Sequence, residues 1–365
     1  SRGLGDVYKR QNTQSPGSAA PAPTPLSWDR SLSARTTLPR AWRGCMRSPD
    51  RPDMTPGRVI AIDIGGTQLR LALFEQGAIV AREALPTDVT GGPSGVMDQI
   101  DMLVDRLCAA GARAEIRGIG LSLAGPIDTE TAMVTRIPTL PGWDGFPVGQ
   151  ALAKRTGIPV HVENDAIAAT LGEWLHGAGR GVRNIVYLTV STGIGGGAVV
   201  DGRLLHGRKG IAGHLGHMRM AQDGPVCPCG TTGCFEALAS GSALRDRAVD
   251  AAIGSGFLSD IADIDTRHVF EGARAGDRTC IDLLAREAMY LGQGITSVIH
   301  MFSPDRVIMG GGVSNGFDLL DGGIHEVIRR DAMPPFRDVP VMKAGLGGDS
   351  GLFGAASLVA DAARG

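Results

Sequence analysis

VIAIDIGGTQLRLALFEQGAIVAREALPT, residues 59–87, alternates short apolar runs with tight glycine-containing turns and reads as three strands joined by hairpins. A helix is expected next, around residues 92–110, then a strand in IRGIGLSLAGPI (116–127). IPVHVENDAIAATLGEWLHGAG (158–179) reads as a strand running into a helix. The opening pattern then restarts: NIVYLTVSTGIGGGAVVDGRLLHG, residues 184–207, is again an apolar strand, a glycine turn and a further strand. Two such units roughly 120 residues apart predict duplicated α/β lobes facing each other across a cleft. Helices are expected from the cysteine-rich segment to about residue 301. After them come the strand and triple glycine of DRVIMGGGVSN (305–315), a helix, the strand VPVMKAGLGG (339–348) and a closing helix from Gly351.

Composition agrees with a two-lobed chain. At 365 residues and 43% hydrophobic content it can bury a sizeable core, and it exceeds the usual size of one compact domain. A formal net charge of -2 supplies no overall basic field for nucleic acid or anionic lipid. Every long apolar run is broken before about 20 residues, which argues against a membrane span. Six cysteines, three of them crowded together, favour a reduced, cytoplasmic setting over a disulfide framework. Residues 1–53 differ from the rest: rich in Arg, Ser and Pro and without hydrophobic periodicity, they read as a disordered or artefactual leader, with Met54 as the start of the protein. An organellar transit peptide fits less well, because Asp6, Asp29, Asp50 and Asp53 lie within the segment.

Three glycine sites suggest phosphate or nucleotide binding. In DIGGT, Asp63 ends a buried strand, Gly65 and Gly66 let backbone amides approach an anion, and Thr67 adds a hydroxyl. STGIGGG, with Thr192, Gly193 and Gly195, is placed to do the same from the opposite lobe. Gly310, Gly311 and Gly312 leave room for a flat ring or a ribose. Each alone is equally well a plain hairpin turn. None fits a Walker loop or the strand-helix setting of a dinucleotide fold. The segment GHLGHMRMAQDGPVCPCGTTGCFE, residues 213–236, packs two histidines and three cysteines together and suggests zinc, whether as catalyst, clip or part of a nucleic-acid reader.

The order of DIGGT, VENDA, STGIGGG, GH before CPCGTTGCFE, and GGG resembles the ROK family of sugar kinases, repressors and related open reading frames over residues 59 to about 361. The resemblance implies an actin-like, hexokinase-type ATPase fold of two α/β lobes. The first lobe spans residues 54–165, completed by about 346–365, and the second spans 166–345 with a structural zinc loop at 213–236. It implies ATP and Mg²⁺ as cofactors, with Asp63 at the magnesium end of the nucleotide, and Zn²⁺ on His217, Cys227, Cys229 and Cys234. One imidazole and three thiolates close a tetrahedron and leave no position for water, so such a metal is structural. Paired zinc-finger spacings and a basic recognition helix are absent.

The family pattern further implies Asp165 as the base that takes the proton of a sugar hydroxyl. It implies Gly125, Thr139, Asn164, Asp165, His214, His217 and Glu236 as sugar contacts. Read alone, Asn-Asp is equally a helix N-cap. Two departures from the pattern matter. Thr139 stands where many members have Asn, and His214 stands where many have Glu. Bacterial N-acetylmannosamine kinases of the family resemble this chain at the second position, with AGHIGH against AGHLGH. A neutral imidazole can donate to an amide carbonyl where a carboxylate can only accept. The expectation is therefore a homodimeric ATP-dependent hexose kinase forming the 6-phosphate, first of N-acetylmannosamine in sialic acid catabolism. The alternatives are a glucokinase or other ROK hexokinase, and a ROK-type transcriptional regulator lacking its DNA-binding domain, since residues 1–53 lack the length and periodicity of a winged helix-turn-helix.

Overall fold

The computed structural model describes residues 57–108, 112–135, 140–252 and 256–362. The leader expected at residues 1–53 and the sugar contact expected at Thr139 lie outside the described residues.

The opening stretch forms three antiparallel strands, β1 (Arg58–Ile64), β2 (Gln68–Glu75) and β3 (Ala78–Pro86). Two parallel strands extend the sheet beyond β1: β4 (Ile116–Leu123) and β7 (Val160–Asn164), giving the order β3-β2-β1-β4-β7. A small hairpin, β5 (Ile127–Asp128) with β6 (Met133–Val134), follows β4. The second sheet repeats the plan. Its strands β8 (Ile185–Val190), β9 (Ile194–Val200) and β10 (Arg203–Leu204) form an antiparallel meander, and β11 (Arg306–Gly310) and β12 (Val341–Lys343) add in parallel, in the order β10-β9-β8-β11-β12. The two lobes expected from the repeated strand-turn-strand pattern are thus two sheets of one topology.

Each sheet is covered on both faces, which is why its central strands are apolar almost throughout. On β1, Ile60, Ile62 and Ile64 face Val96, Met97, Ile100 and Leu103 of α1 (Gly92–Leu107) and Leu152 of α2 (Val148–Thr156). Val59 and Ala61 face the other way, against Leu352, Ala355, Ala356 and Val359 of the last helix. Asp63 is the next residue in that second series, at the point where the strand leaves the packed sheet. On β8, Val186, Leu188 and Val190 enter the core of the long helices of the second lobe, whereas Ile185 and Tyr187 pack beside Ala169 on the opposite face.

Two helices fill the space between the sheets: α3 (Asp165–His176) and the last, α9 (Ser350–Ala362). Between them in sequence run α4 (Phe235–Ala239), α5 (Gly241–Ala251), α6 (Thr266–Arg274), α7 (Arg278–Phe302) and α8 (Phe317–Asp331). The crossing of α3 and α9 is backbone against backbone: a Cβ at Gly354 would lie 1.7 Å from the Ala168 carbonyl oxygen, and one at Gly172 2.2 Å from that of Ser350. No side-chain rotation relieves either overlap. Gly354→Ala is therefore expected to destabilise by at least the ~1–3 kcal/mol typical of overpacking, read as a lowered midpoint in denaturant melts.

Sequence reasoning did not place α2 or the β5-β6 hairpin, and it drew the last strand longer than the three residues of β12. No helix among the described residues is long and apolar enough to cross a membrane.

Candidate active site

The carboxyl ends of β1, β4 and β7 and the start of α3 meet at one cleft, where open α/β sheets commonly bind ligands. Asp63, Arg70, Asp165, Thr189, Gly311 and Ser350 are among the residues lining it. Asn164 closes β7 and caps α3: its Oδ1 accepts the Ala166 and Ile167 N–H groups at 3.0 and 3.2 Å. Its Nδ2 donates to the Gly125 carbonyl and to Asp165 Oδ1, both at 2.9 Å. All four of its hydrogen-bonding positions are filled within the chain. The N-cap alternative for Asn-Asp thus describes Asn164. Asp165 stands one residue further on with its carboxylate on the cleft. Burial raises the Asp165 pKa to about 6, the negative charge of Asp63 pushes in the same direction, and the Ala166 N–H and Asn164 amide oppose them.

Asp63 is buried and doubly held. Its Oδ1 accepts the Ser122 hydroxyl at 2.7 Å, and its Oδ2 pairs with the Arg70 guanidinium. Arg70 also donates to the Gly348 carbonyl at 2.6 Å. Neither Arg70 nor Ser122 was singled out from the sequence. A signal for Arg70 did exist: a charge inside the apolar run of β2, placed by the hairpin register directly opposite Asp63. Glu163 was also missed. Only 2% exposed, it accepts the Asn164 N–H at 2.8 Å through Oε1 and meets His206 Nε2 at 2.9 Å through Oε2. Nothing in VENDA marks it from sequence alone.

The glycine sites divide. Gly65, Gly66 and Thr67 form the β1-β2 turn, and Thr192 and Gly193 lie in the β8-β9 turn. Gly310 ends β11, Gly311 lines the cleft, and Gly312 opens a 3-10 turn. Gly195, expected in a phosphate turn, lies instead within β9, where a Cβ would stand 3.1 Å from that of Ala166. At Gly197 it would stand 2.4 Å from Thr170 Oγ1, and at Gly196, on the opposite face, 2.9 Å from Leu215 Cδ1. The glycine run therefore lets β9 lie flush between the helix that begins at Asp165 and the segment that carries His214 and His217.

His214 precedes and His217 ends the 3-10 turn Leu215–His217, with ring centroids 6.1 Å apart and planes 24° from parallel. Desolvation depresses the His214 pKa, His217 adds to this, and Glu236 opposes it, a balance that favours the neutral ring. Glu236, in the first turn of α4, accepts the Ile194 N–H at 2.8 Å and lies 3.7 Å from Cys227 Sγ. His214, His217, Glu236 and Gly193 thus form one group, and Gly125, Asn164, Asp165 and Asp63 another. No hydrogen bond joins the two groups among the described residues.

The ligand atoms of His217, Cys227, Cys229 and Cys234 all lie within 4.8 Å of one another. Zinc at about 2.3 Å from sulfur and about 2.0 Å from nitrogen implies tetrahedral edges of about 3.8 Å (S···S) and about 3.6 Å (S···N). Cys229 and Cys234 sulfurs are 3.7 Å apart, and Cys227 Sγ is 3.6 Å from His217 Nδ1. The cluster therefore has the shape of a four-coordinate metal site. The Thr231 N–H is the leading cause that lowers Cys229 to about 7, whereas burial raises Cys227 to about 12; a cation among the sulfurs favours the thiolate at every position.

Two sheets of one topology, joined by two crossing helices and closing on a cleft with carboxylates at its floor, define the actin-like architecture of ATP-dependent sugar kinases. The chain belongs to the ROK family, whose sequence model matches residues 59–362. It is 37% identical to a glucokinase of Thermotoga maritima, over 83% of this chain and 97% of that one. It is 35% identical to an N-acetylmannosamine kinase of Salmonella typhi, over 82% and 97%. A crystal structure of a ROK family glucokinase from Streptomyces griseus in complex with glucose and AMPPNP matches with a TM-score of 0.70 and 34% identity, covering 83% of this chain and 99% of that one. The enzyme is a sugar kinase of this family.

Proposed function

We propose that the protein transfers the γ-phosphoryl group of ATP to the 6-hydroxyl of a hexose, with Asp165 as the base. The observation that carries this reading is a carboxylate at the start of α3 with a pKa raised to about 6, in the same cleft as Asp63. Such a group is ionised at pH 7 yet basic enough to take a hydroxyl proton as transfer proceeds. Asp63 fits the metal end of the nucleotide. Already tied to Arg70 and Ser122, it suits a magnesium ion reached through water rather than bound directly, and that ion would neutralise phosphate charge. The turns at Gly65, Gly66 and Thr67, at Thr192 and Gly193, and at Gly310, Gly311 and Gly312 are proposed around the nucleotide.

For the sugar, we assign Gly125, Asn164, His214, His217 and Glu236. Asn164 acts at least by holding Asp165 in place. His217 uses one ring nitrogen for each task, Nδ1 toward zinc and Nε2 toward the sugar, in keeping with the way metal-bound histidines employ their second nitrogen. Zinc on His217, Cys227, Cys229 and Cys234 would hold the shape of the segment that carries His214 and Glu236.

N-acetylmannosamine is the substrate we propose first, because a neutral His214 can donate to an acetamido carbonyl. Glucose is the second reading, supported by the slightly higher identity to the Thermotoga glucokinase. A coupled ADP-release assay over N-acetylmannosamine, N-acetylglucosamine, mannose and glucose decides between them. In the same assay His214→Glu should lower the ratio of kcat/KM for N-acetylmannosamine over glucose by about tenfold or more, since a carboxylate set against a carbonyl oxygen loses the donor. An unchanged ratio would remove His214 from sugar selection.

A further inference from the structure

Glu173 lies in the last turn of α3 and is completely buried. Among the described residues no cation is paired with it, and at the carbonyl end of a helix the backbone dipoles oppose a negative charge. Four donors converge on it instead. Oε2 accepts the Ala178 and Gly345 N–H groups at 2.8 and 2.9 Å, and Oε1 accepts the Leu346 N–H at 2.9 Å and the Ser350 hydroxyl at 2.7 Å. These fill the usual capacity of a carboxylate. Three of the four donors belong to residues 345–350, the segment by which the chain returns from β12 to α9. The carboxylate therefore sits at the start of α9, where helix polarity favours it.

The same segment is held from the first sheet. Arg70 donates to the Gly348 carbonyl at 2.6 Å, and Arg82 forms a two-pronged pair with Asp349 at 3.1 and 2.7 Å. Between these holds, Gly347, Gly348 and Ser350 line the cleft beside Asp63 and Gly311. His214, His217 and Glu236 belong to the segments on the other side of β9 and, among the described residues, make no hydrogen bond with residues 345–350.

We infer that Glu173 is a positioning residue for the phosphate donor: it sets where residues 345–350 stand as one wall of the nucleotide end of the cleft, and through Gly348 it steadies Arg70 against Asp63. This inference rests on the kinase reading for the identity of the ligand. Because α3 begins at Asp165, one rigid helix fixes both the proposed base and the wall opposite it.

The test uses the full chain and begins with the unsubstituted protein. Failure to phosphorylate any hexose would sink the kinase reading by itself. Given activity, Glu173→Gln keeps the shape but turns one oxygen into an NH₂ that faces two donors. The KM for ATP and the Kd for AMPPNP, measured by calorimetry without sugar, should rise about tenfold or more, with the KM for sugar changed by less than about twofold. Glu173→Asp, which keeps every acceptor on a shorter arm, should move the same quantities in the same direction by less, and it serves should the Gln variant not fold. A purely structural Glu173 predicts a different result: lower melting temperature with both KM values unchanged, or both raised together. Either outcome overturns the proposal.

Discussion

Asp165→Asn should lower turnover by about 10² or more while leaving sugar binding intact, and the folded protein should become more stable, not less. The first half follows from chemistry: the amide keeps the shape and an oxygen for the Ala166 N–H but accepts no proton in the transition state. The second half follows from the raised pKa. A carboxyl group that titrates near 6 in the folded chain and near 3.8 when unfolded binds its proton more tightly in the folded state. Its contribution to stability is full below about pH 4 and is lost as pH rises through about 6, so at pH 7 the ionised group is a burden of at most about 3 kcal/mol. Asn carries no such burden. For the unsubstituted enzyme the same shift predicts kcat/KM falling tenfold per pH unit below about 6 as the base protonates. Near-normal turnover in the variant, or a melting temperature at pH 7.5 well below that of the parent, would remove Asp165 from its role.

Cys229→Ser should abolish stoichiometric zinc, measured as one ion per chain by elemental analysis, and should lower the thermal midpoint with it. Metal-binding energy is folding energy for the segment it closes, and an exposed hydroxyl is a poor replacement for one of three thiolates. The effect should reach the sugar more than the nucleotide. His217 and Cys234 adjoin the 3-10 turn after His214 and the helix that begins at Phe235 and carries Glu236, so loosening the cluster frees both sugar-facing elements. AMPPNP affinity should survive. A variant that binds no zinc yet melts and phosphorylates like its parent would show that the four residues are held together by the fold alone.

The duplicated architecture was legible in the chain because it is written in local periodicity. The apolar run, glycine turn and second strand around Asp63 recur around Thr192, and each became a three-stranded meander extended by parallel strands. The His-Cys cluster was legible for a similar reason: two of its sulfurs are separated by one residue, and the whole set spans only residues 217–234. One placement did not carry over as drawn. Gly195 looked like part of a phosphate turn, but its missing side chain meets Ala166, a contact set by how β9 lies on α3. Asn164 proved to be the helix N-cap that its position before Asp165 allows, with its polar atoms engaged by the chain itself.

By itself the sequence determined most of the elements, their repetition and the types of chemical group available, since each depends on spacing within a few residues. Only the tertiary structure decided which groups meet: Arg70 with Asp63 across a hairpin and with Gly348 across 278 positions, or Glu173 with Ser350 across 177. It also decided their charge. A pKa near 6 at Asp165 arises from burial and from the neighbouring Asp63, two quantities that exist only once both sheets have closed on the helices between them.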